Sequence, residues 1–246
     1  MIAPVHPSSL VPPISRPVMK LLRQAIRDFD LILPGDRVAV GISGGKDSLL
    51  LATALKEIQS HDDFDFQIFP IHLDQNQPGF DRPGFNAALA RLDLSCEIID
   101  RDTHSVVQSL LKPGQIPCSI CGRMRRGILN EYCAQRGYNK LALGHHLDDA
   151  AETFFLNLLF GRRLDPLKPA TPASDVDVTT IRPLILVEER KIKAWVEEHQ
   201  VPVVPCPVCD TFPRSQRREV KELIQQFQSL HPRVHDSIRD ALYSPS

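Results

Sequence analysis

No apolar run in these 246 residues approaches the roughly 18 that a membrane-spanning helix needs. Met1 to Pro17 lacks the early positive charge and apolar core of a signal peptide, and its prolines and serines read as a loose tail. Neither sign of charge is in excess. The formal net charge is −1, so a nucleic-acid partner would have to meet a local basic patch. Internal repeats and long low-complexity segments are also missing. What is present, 42% hydrophobic and 24% charged residues, is the composition of a soluble globular protein. The length suits one α/β domain with small appendages. We delimit a loose N-terminal tail at 1–17, a domain over 18–232 and a C-terminal tail over 233–246. Six cysteines without an export signal point to metal binding or catalysis rather than disulfides, and to the cytoplasm.

Along the chain, helical and strand patterns alternate. Met19 to Phe29 has apolar residues at helical spacing, and Arg37 to Ile42 is a short apolar run that reads as a buried strand. Helices are expected at Lys46 to Gln59, Gly84 to Leu92, Arg123 to Arg136, Asp148 to Phe160, Val187 to Gln200 and Gln216 to Leu230. Strands are expected at Phe66 to His72, Cys96 to Asp100 and Lys140 to Leu143. The stretch from Gly161 to Thr180, with Pro166, Pro169 and Pro172, reads as a loop, and Pro202 to Pro213 as a connection. Alternation of this kind predicts βαβ units and a parallel sheet with helices on both faces, its ligands bound beyond the carboxyl ends of the strands.

At the first such strand end stands Ser43-Gly44-Gly45-Lys46-Asp47-Ser48. The glycines let backbone N–H groups approach an anion, and the following helix turns its positive end to the same point. Lys46 adds a cation, Ser43 and Ser48 add hydroxyls, and Asp47 can orient the loop or help hold a metal ion. This is a polyphosphate cradle, but not the Walker pattern, which has four residues between its first Gly and the Gly-Lys pair. A second strand end carries Gly144-His145-His146-Leu147-Asp148-Asp149. Its carboxylates either cap the next helix or, with His145, line a nucleotide pocket or hold Mg²⁺. Asp74, at a third strand end, is either a turn cap or a group that positions a base or metal.

Cys118 and Cys121 form one CxxC pair, Cys206 and Cys209 another. Two such pairs suit a Cys₄ zinc site or an iron–sulfur cluster; a redox dithiol is a third option, but thioredoxin-like motifs usually lie at the head of a helix after the first strand, where neither pair stands. Cys96 and Cys133 fall in an expected strand and helix and read as buried thiols.

The Ser43–Ser48 loop resembles the SGGxDS element of the PP-loop ATP pyrophosphatases. An ordered set of segments resembles the tRNA 2-thiocytidine synthetase family in particular. These are Leu73-Asp74-Gln75-Asn76-Gln77-Pro78-Gly79-Phe80, Cys118 to Leu129, Gly144 to Asp149, Ile181-Arg182-Pro183-Leu184 and Pro205-Cys206-Pro207-Val208-Cys209. The resemblance runs from about Met19 to about Arg218. It implies an adenine nucleotide alpha hydrolase-like fold and cleavage of ATP to pyrophosphate. The expected reaction adenylates the C2 oxygen of an anticodon-loop cytidine, position 32 in the family, and replaces that oxygen with sulfur. The resemblance further implies Lys46, Asp47 and Asp74 as catalytic residues. The nucleotide site would comprise Ser43, Gly44, Gly45, Lys46, Asp47, Ser48, Gly144, His145 and Asp149, with Mg²⁺. A [4Fe–4S] cluster is expected on Cys118, Cys121 and one of Cys206 and Cys209. Asp210, where the family pattern has Gly, is a departure beside the second pair. The implied partners are tRNA and a sulfur donor such as a cysteine desulfurase or free sulfide; a homodimer is left open. Candidate RNA contacts are Arg123, Arg125, Arg126, Arg162, Arg163, Arg217 and Arg218. Arg182 would pair with an acidic residue or a nucleotide phosphate. Rival readings are a 2-thiouridine or lysidine synthetase, a thiolase of non-tRNA substrates, and a zinc-containing nucleotide-binding module without catalysis.

Overall fold

The structure is a computed structural model that describes residues 11–61, 65–111, 117–205, 207 and 216–244; the side chains of Cys118 and Ser119 lie outside it. Helix α1 (Arg16–Asp28) buries Val18, Leu22, Ala25 and Ile26 along one stripe and leads through a turn at Gly35 into β1 (Arg37–Gly41). The order continues α2 (Lys46–His61), β2 (Gln67–Asp74), α3 (Arg82–Arg91), β3 (Glu97–Asp100), α4 (Thr103–Leu110) and α5 (Cys118–Arg136). Then come β4 (Lys140–Ala142), α6 (Leu147–Leu159), β5 (Ala170–Pro172), β6 (Thr179–Ile181), α7 (Glu189–His199), α8 (Gln216–Leu230) and α9 (Val234–Tyr243).

Among the described residues six strands form one sheet in the order β3-β2-β1-β4-β6-β5. All neighbours are parallel except β5, which pairs antiparallel with β6 at the edge. Beyond the exposed Arg37 at its start, β1 is an apolar central strand because both of its faces are covered: Val38 and Val40 join the core beneath α2, and Ala39 joins a second core with Leu129 and Cys133 of α5. The chain runs outward from β1 through β2 to β3, then returns to β4 on β1's other side. This reversal opens a crevice between the carboxyl ends of β1 and β4, where sheets of this type bind ligands.

The expected fold class holds, with several local differences. The stretch read as a loop over 161–180 contains β5 and the start of β6, three residues each, joined by a turn. Pro172 is tolerated because β5 is an edge strand. The helix expected from Arg123 already begins at Cys118, so the first CxxC pair occupies its first turn. In the segment read as a C-terminal tail, 234–243 form α9. Tyr243 is buried there and donates a hydrogen bond to the Leu167 carbonyl at 2.6 Å.

Candidate active site

The loop after β1 is held by its own hydroxyls. The Ser43 N–H donates to Ser48 Oγ (3.1 Å), Ser48 Oγ donates to the Gly45 carbonyl (2.9 Å), and the Gly45 N–H donates to Ser43 Oγ (3.3 Å). The two serines therefore shape the loop from within. Gly44 has φ +87°, a conformation that side-chain-bearing residues rarely adopt, and turns the backbone into a concave nest. The first amides of α2 have no carbonyl one turn back to bond and face that concavity with the helix's positive end. Gly44 also accepts a hydrogen bond from the Val204 N–H at 2.9 Å, tying the second cysteine segment to the loop two residues before Cys206.

The loop after β4 lies directly against this nest. A Cβ on Gly144 would stand 2.9 Å from backbone atoms of Asp47 and Ser48, so only glycine allows the approach. His146 caps α6. Its ring accepts from the Asp149 N–H, and the Asp149 carboxylate accepts from the His146 N–H. Asp148 accepts from the Glu189 N–H (2.7 Å) and pairs with His235 Nε2 (3.1 Å), so it joins α6 to α7 and α9, while the capping of α6 itself falls to His146 and Asp149. His145 beside it has its pKa pushed down to about 4. Burial is the main cause, Arg182 and Arg217 add to it and Asp149 opposes. It is a neutral group at physiological pH, with Nδ1 lacking a partner among the described residues.

Lys46 is the mobile cation of the nest. Its ammonium pairs with Asp47 Oδ2 and Glu189 Oε1, each at 3.0 Å. Burial lowers the Lys46 pKa, but Asp47 first and Glu189 second outweigh it, so the amine stays charged. The other Asp47 oxygen is buried, has no hydrogen-bond partner among the described residues and lies 3.6 Å from His146 Nε2.

A cavity of about 520 Å³ begins at this loop, where Ser43, Asp47 and Ser48 line it, and continues past Gly144, His145 and Asp149. Asp74 at the end of β2 is buried in its wall, ion-paired with Arg82 and accepting from the Asn76 N–H. The far end is lined by Gln75, by Gly122 and Arg125 of α5, and by Pro205 and Pro207 on either side of Cys206. There the Cys121 thiol donates to Gln75 Oε1 (3.2 Å), and Arg125 approaches the same sulfur at 3.6 Å.

Thus Asp47, Asp74, Gly144, His145 and Asp149 come together around one cavity, which Cys121 adjoins through Gln75. Cys206 and Cys209 lie outside the described residues, as do Asp210 and the Cys118 side chain. Among the described residues no three His, Cys, Asp or Glu side chains converge as a metal site. Cys133 is fully buried and Cys96 half-buried, and burial pushes both thiols up to about 12.

Of the candidate RNA contacts, Arg125, Arg126 and Arg217 reach the cavity. Arg217 pairs there with Asp149 (3.3 Å) and Glu152 (3.5 Å). Arg162 and Arg163 follow the other end of α6, about 20 Å from its start by helical rise. Arg182 is buried and donates to the Lys168 carbonyl and Thr171 Oγ1, with no acidic partner among the described residues. Two participants carry no signal of their own in the sequence. Glu189 reads as an ordinary helix-start acid, and Val204 as a core residue. Gln75 does lie in the quoted Leu73–Phe80 segment, but its contact with Cys121 depends on the fold.

Residues 14–205 match the PP-loop domain family. The chain is 39% identical to a tRNA-cytidine(32) 2-sulfurtransferase of Nitrosomonas eutropha over 87% of its own length and 68% of that protein. It is 38% identical to one of Pseudomonas syringae pv. syringae over 93% of its length and 84% of that protein. Among solved structures it resembles the U34-tRNA thiolase NcsA from Methanococcus maripaludis, determined with its [4Fe–4S] cluster. The TM-score is 0.70 and the identity 26%, covering 89% of this chain and 75% of that one. With its nest, its glycine contact and its sequence similarity in agreement, the chain belongs to the PP-loop domain family and, within it, to the family of the tRNA-cytidine(32) 2-sulfurtransferases.

Proposed function

We propose that this protein uses ATP to thiolate cytidine 32 of a tRNA anticodon loop at C2. The observation that carries the reading is one cavity lined both by Ser43, Asp47 and Ser48 of the phosphate nest and by Gly122, Gln75, the partner of Cys121, and the prolines around Cys206. Activation and sulfur delivery must act on the same carbon, and one chamber serves both.

In the first half-reaction the C2 oxygen of the base attacks the α-phosphorus of ATP, and pyrophosphate leaves. Gly44, Gly45 and the first amides of α2 cradle the polyphosphate, with Lys46 opposite the developing charge. The unpartnered, buried Asp47 oxygen fits a Mg²⁺ that travels with the nucleotide, with Asp149 near it. His145, neutral and buried, lines the nucleotide pocket without adding charge. Asp74, fixed by Arg82, positions the base. In the second half-reaction hydrosulfide attacks C2 and loses its proton, and AMP departs with the former oxygen. The base must leave its stack to enter, as in other base-modifying enzymes.

The cysteines fit an iron–sulfur centre. Cys121 sits beside an amide and a guanidinium rather than a hard carboxylate donor, and Cys118 shares its helical turn. Cys118, Cys121 and Cys206 would hold the cluster, with Cys209 the alternative third ligand. When bound, the cluster would present hydrosulfide as the nucleophile; free sulfide would supply it directly, and a cysteine desulfurase would do so together with a two-electron reductant such as a thiol. The reduced thiols this requires suit the cytoplasm.

Anaerobic reconstitution with ATP, Mg²⁺, sulfide and bulk tRNA, followed by nucleoside mass analysis, tests the proposal. The expected outcome is 2-thiocytidine, an oxygen-sensitive brown chromophore, and loss of product in Lys46→Ala and Cys118→Ala. A full yield from either variant, or no thiolated nucleoside from the wild type, sinks it.

A further inference from the structure

Glu189 opens α7, does not line the described cavity, and belongs to none of the motifs above. It is nearly buried, yet three ammonium groups converge on its carboxylate. Lys193 of the same helix (3.1 Å) and Lys221 of α8 (2.9 Å) both reach Oε2, leaving Oε1 for Lys46 at 3.0 Å. The backbone under it is fixed as well, because its N–H donates to Asp148 at 2.7 Å. Burial alone would raise the Glu189 pKa, but Lys221, Lys46 and Lys193 together hold it far below the usual carboxylate range. The amino end of α7 adds to that preference for negative charge.

Lysine carries its charge on a four-carbon stem with freely rotating bonds, so an ammonium without anchors samples many positions. Asp47, the other partner of Lys46, is its neighbour in the same loop and moves with it. Glu189 is the anchor from outside the loop, and two lysines on one oxygen orient its other oxygen. Resting on the ATP-dependent reading above, we infer that Glu189 is a positioning residue. It holds Lys46 at the mouth of the nest in the orientation that meets the transferring phosphoryl group, and it acts on the nucleotide only through Lys46. The same carboxylate fastens α8, the helix that directly follows the second cysteine pair, to the nucleotide loop through Lys221.

Loss of orientation should appear in turnover more than in ground-state binding, because Glu189 also competes with phosphate for Lys46. The test measures pyrophosphate release with ATP and tRNA for wild type, Glu189→Gln, Lys46→Met and the double variant. Glu189→Gln is expected to lower kcat about tenfold or more, with KM for ATP within about threefold. In the Lys46→Met background it should cause no further loss, since the two residues act as one unit. An unchanged kcat in Glu189→Gln, or an equal further loss in the Lys46→Met background, overturns the assignment. Should Glu189→Gln not fold, Glu189→Asp carries the test. It keeps the charge but shortens the reach by a methylene, so kcat should fall about threefold at unmoved KM, and wild-type turnover overturns the proposal. A wild type that releases no pyrophosphate sinks the ATP reading itself. Normal wild-type turnover with an indifferent Glu189 sinks only this inference.

Discussion

A single missing methyl group decides whether the two halves of the nucleotide site can meet. At Gly144 a Cβ would sit 2.9 Å from the backbone carbon of Asp47 and the amide nitrogen of Ser48, neither of which can swing aside as a side chain would. Gly144→Ala must push the β4 loop away from the nest or distort the first turn of α2. The expected cost is about 1–3 kcal/mol of stability. ATP affinity should fall as well, because the displaced loop carries His145 and Asp149. Thermal melts with and without ATP check this: the variant should melt lower and gain less from the nucleotide. At this scale the sequence was legible wherever function is local. Ser43 to Ser48 announce a phosphate cradle because glycines, lysine and hydroxyls are consecutive. The role of their hydroxyls was not, since Ser43 and Ser48 bond within the loop in an arrangement set by the turn itself. Glu189 was illegible for the opposite reason, since its partners come from α2 and α8, far away in the chain.

Among the elements, long periodic segments could be read and short ones could not. α1 and α8 follow from apolar spacing, while α2 is a continuous buried run from Leu49 to Leu55. β5 and β6 have three residues each and owe their existence to pairing with one another and with β4. α9 was hidden because its anchors are tertiary, namely Tyr243 on the Leu167 carbonyl and His235 on Asp148. The second anchor makes α9 docking pH-dependent. The Asp148 hydrogen bond is the chief cause of the raised His235 pKa, so the contribution of His235 is complete below the unfolded value near 6.5. It is lost as pH rises through the higher folded value. Burial works against Asp148, but His235 and the Glu189 N–H outweigh it and lower its pKa. The contribution of Asp148 is therefore present above 3.8 and lost as pH falls through its folded value. The contact is strongest between about pH 4 and 6.5. His235→Gln should cost roughly 1–2 kcal/mol at pH 5.5 and much less at pH 8.5. Hydrogen exchange of the α9 amides at the two pH values reads this directly. An equal loss of protection at both would show that the imidazolium is not the anchor.

For the molecule as a whole, a net charge of −1 gives a polyanion no general attraction, so RNA must be drawn by charge gathered at one place. The fold gathers it at the cavity, bringing Arg125 and Arg126 from α5 and Arg217 from α8 to one chamber. These three are not equivalent. Arg217 is already engaged by Asp149 and Glu152, and Arg125 leans on the Cys121 sulfur. Arg126 is exposed and makes no ion pair among the described residues, which leaves its guanidinium available to a phosphate. Each phosphate contact releases condensed counterions, so its loss shows in the dependence of affinity on salt. Arg126→Ala should therefore weaken tRNA binding and reduce the slope of log K against log salt concentration by about one. Fluorescence anisotropy with labelled tRNA over a series of potassium chloride concentrations measures both. The change should be the same for tRNAs with and without a cytidine at position 32, since a phosphate contact positions the strand without reading the base. A variant that binds more weakly at an unchanged slope would instead place Arg126 on a base or on the protein's own surface, and the RNA would have to enter past other cations.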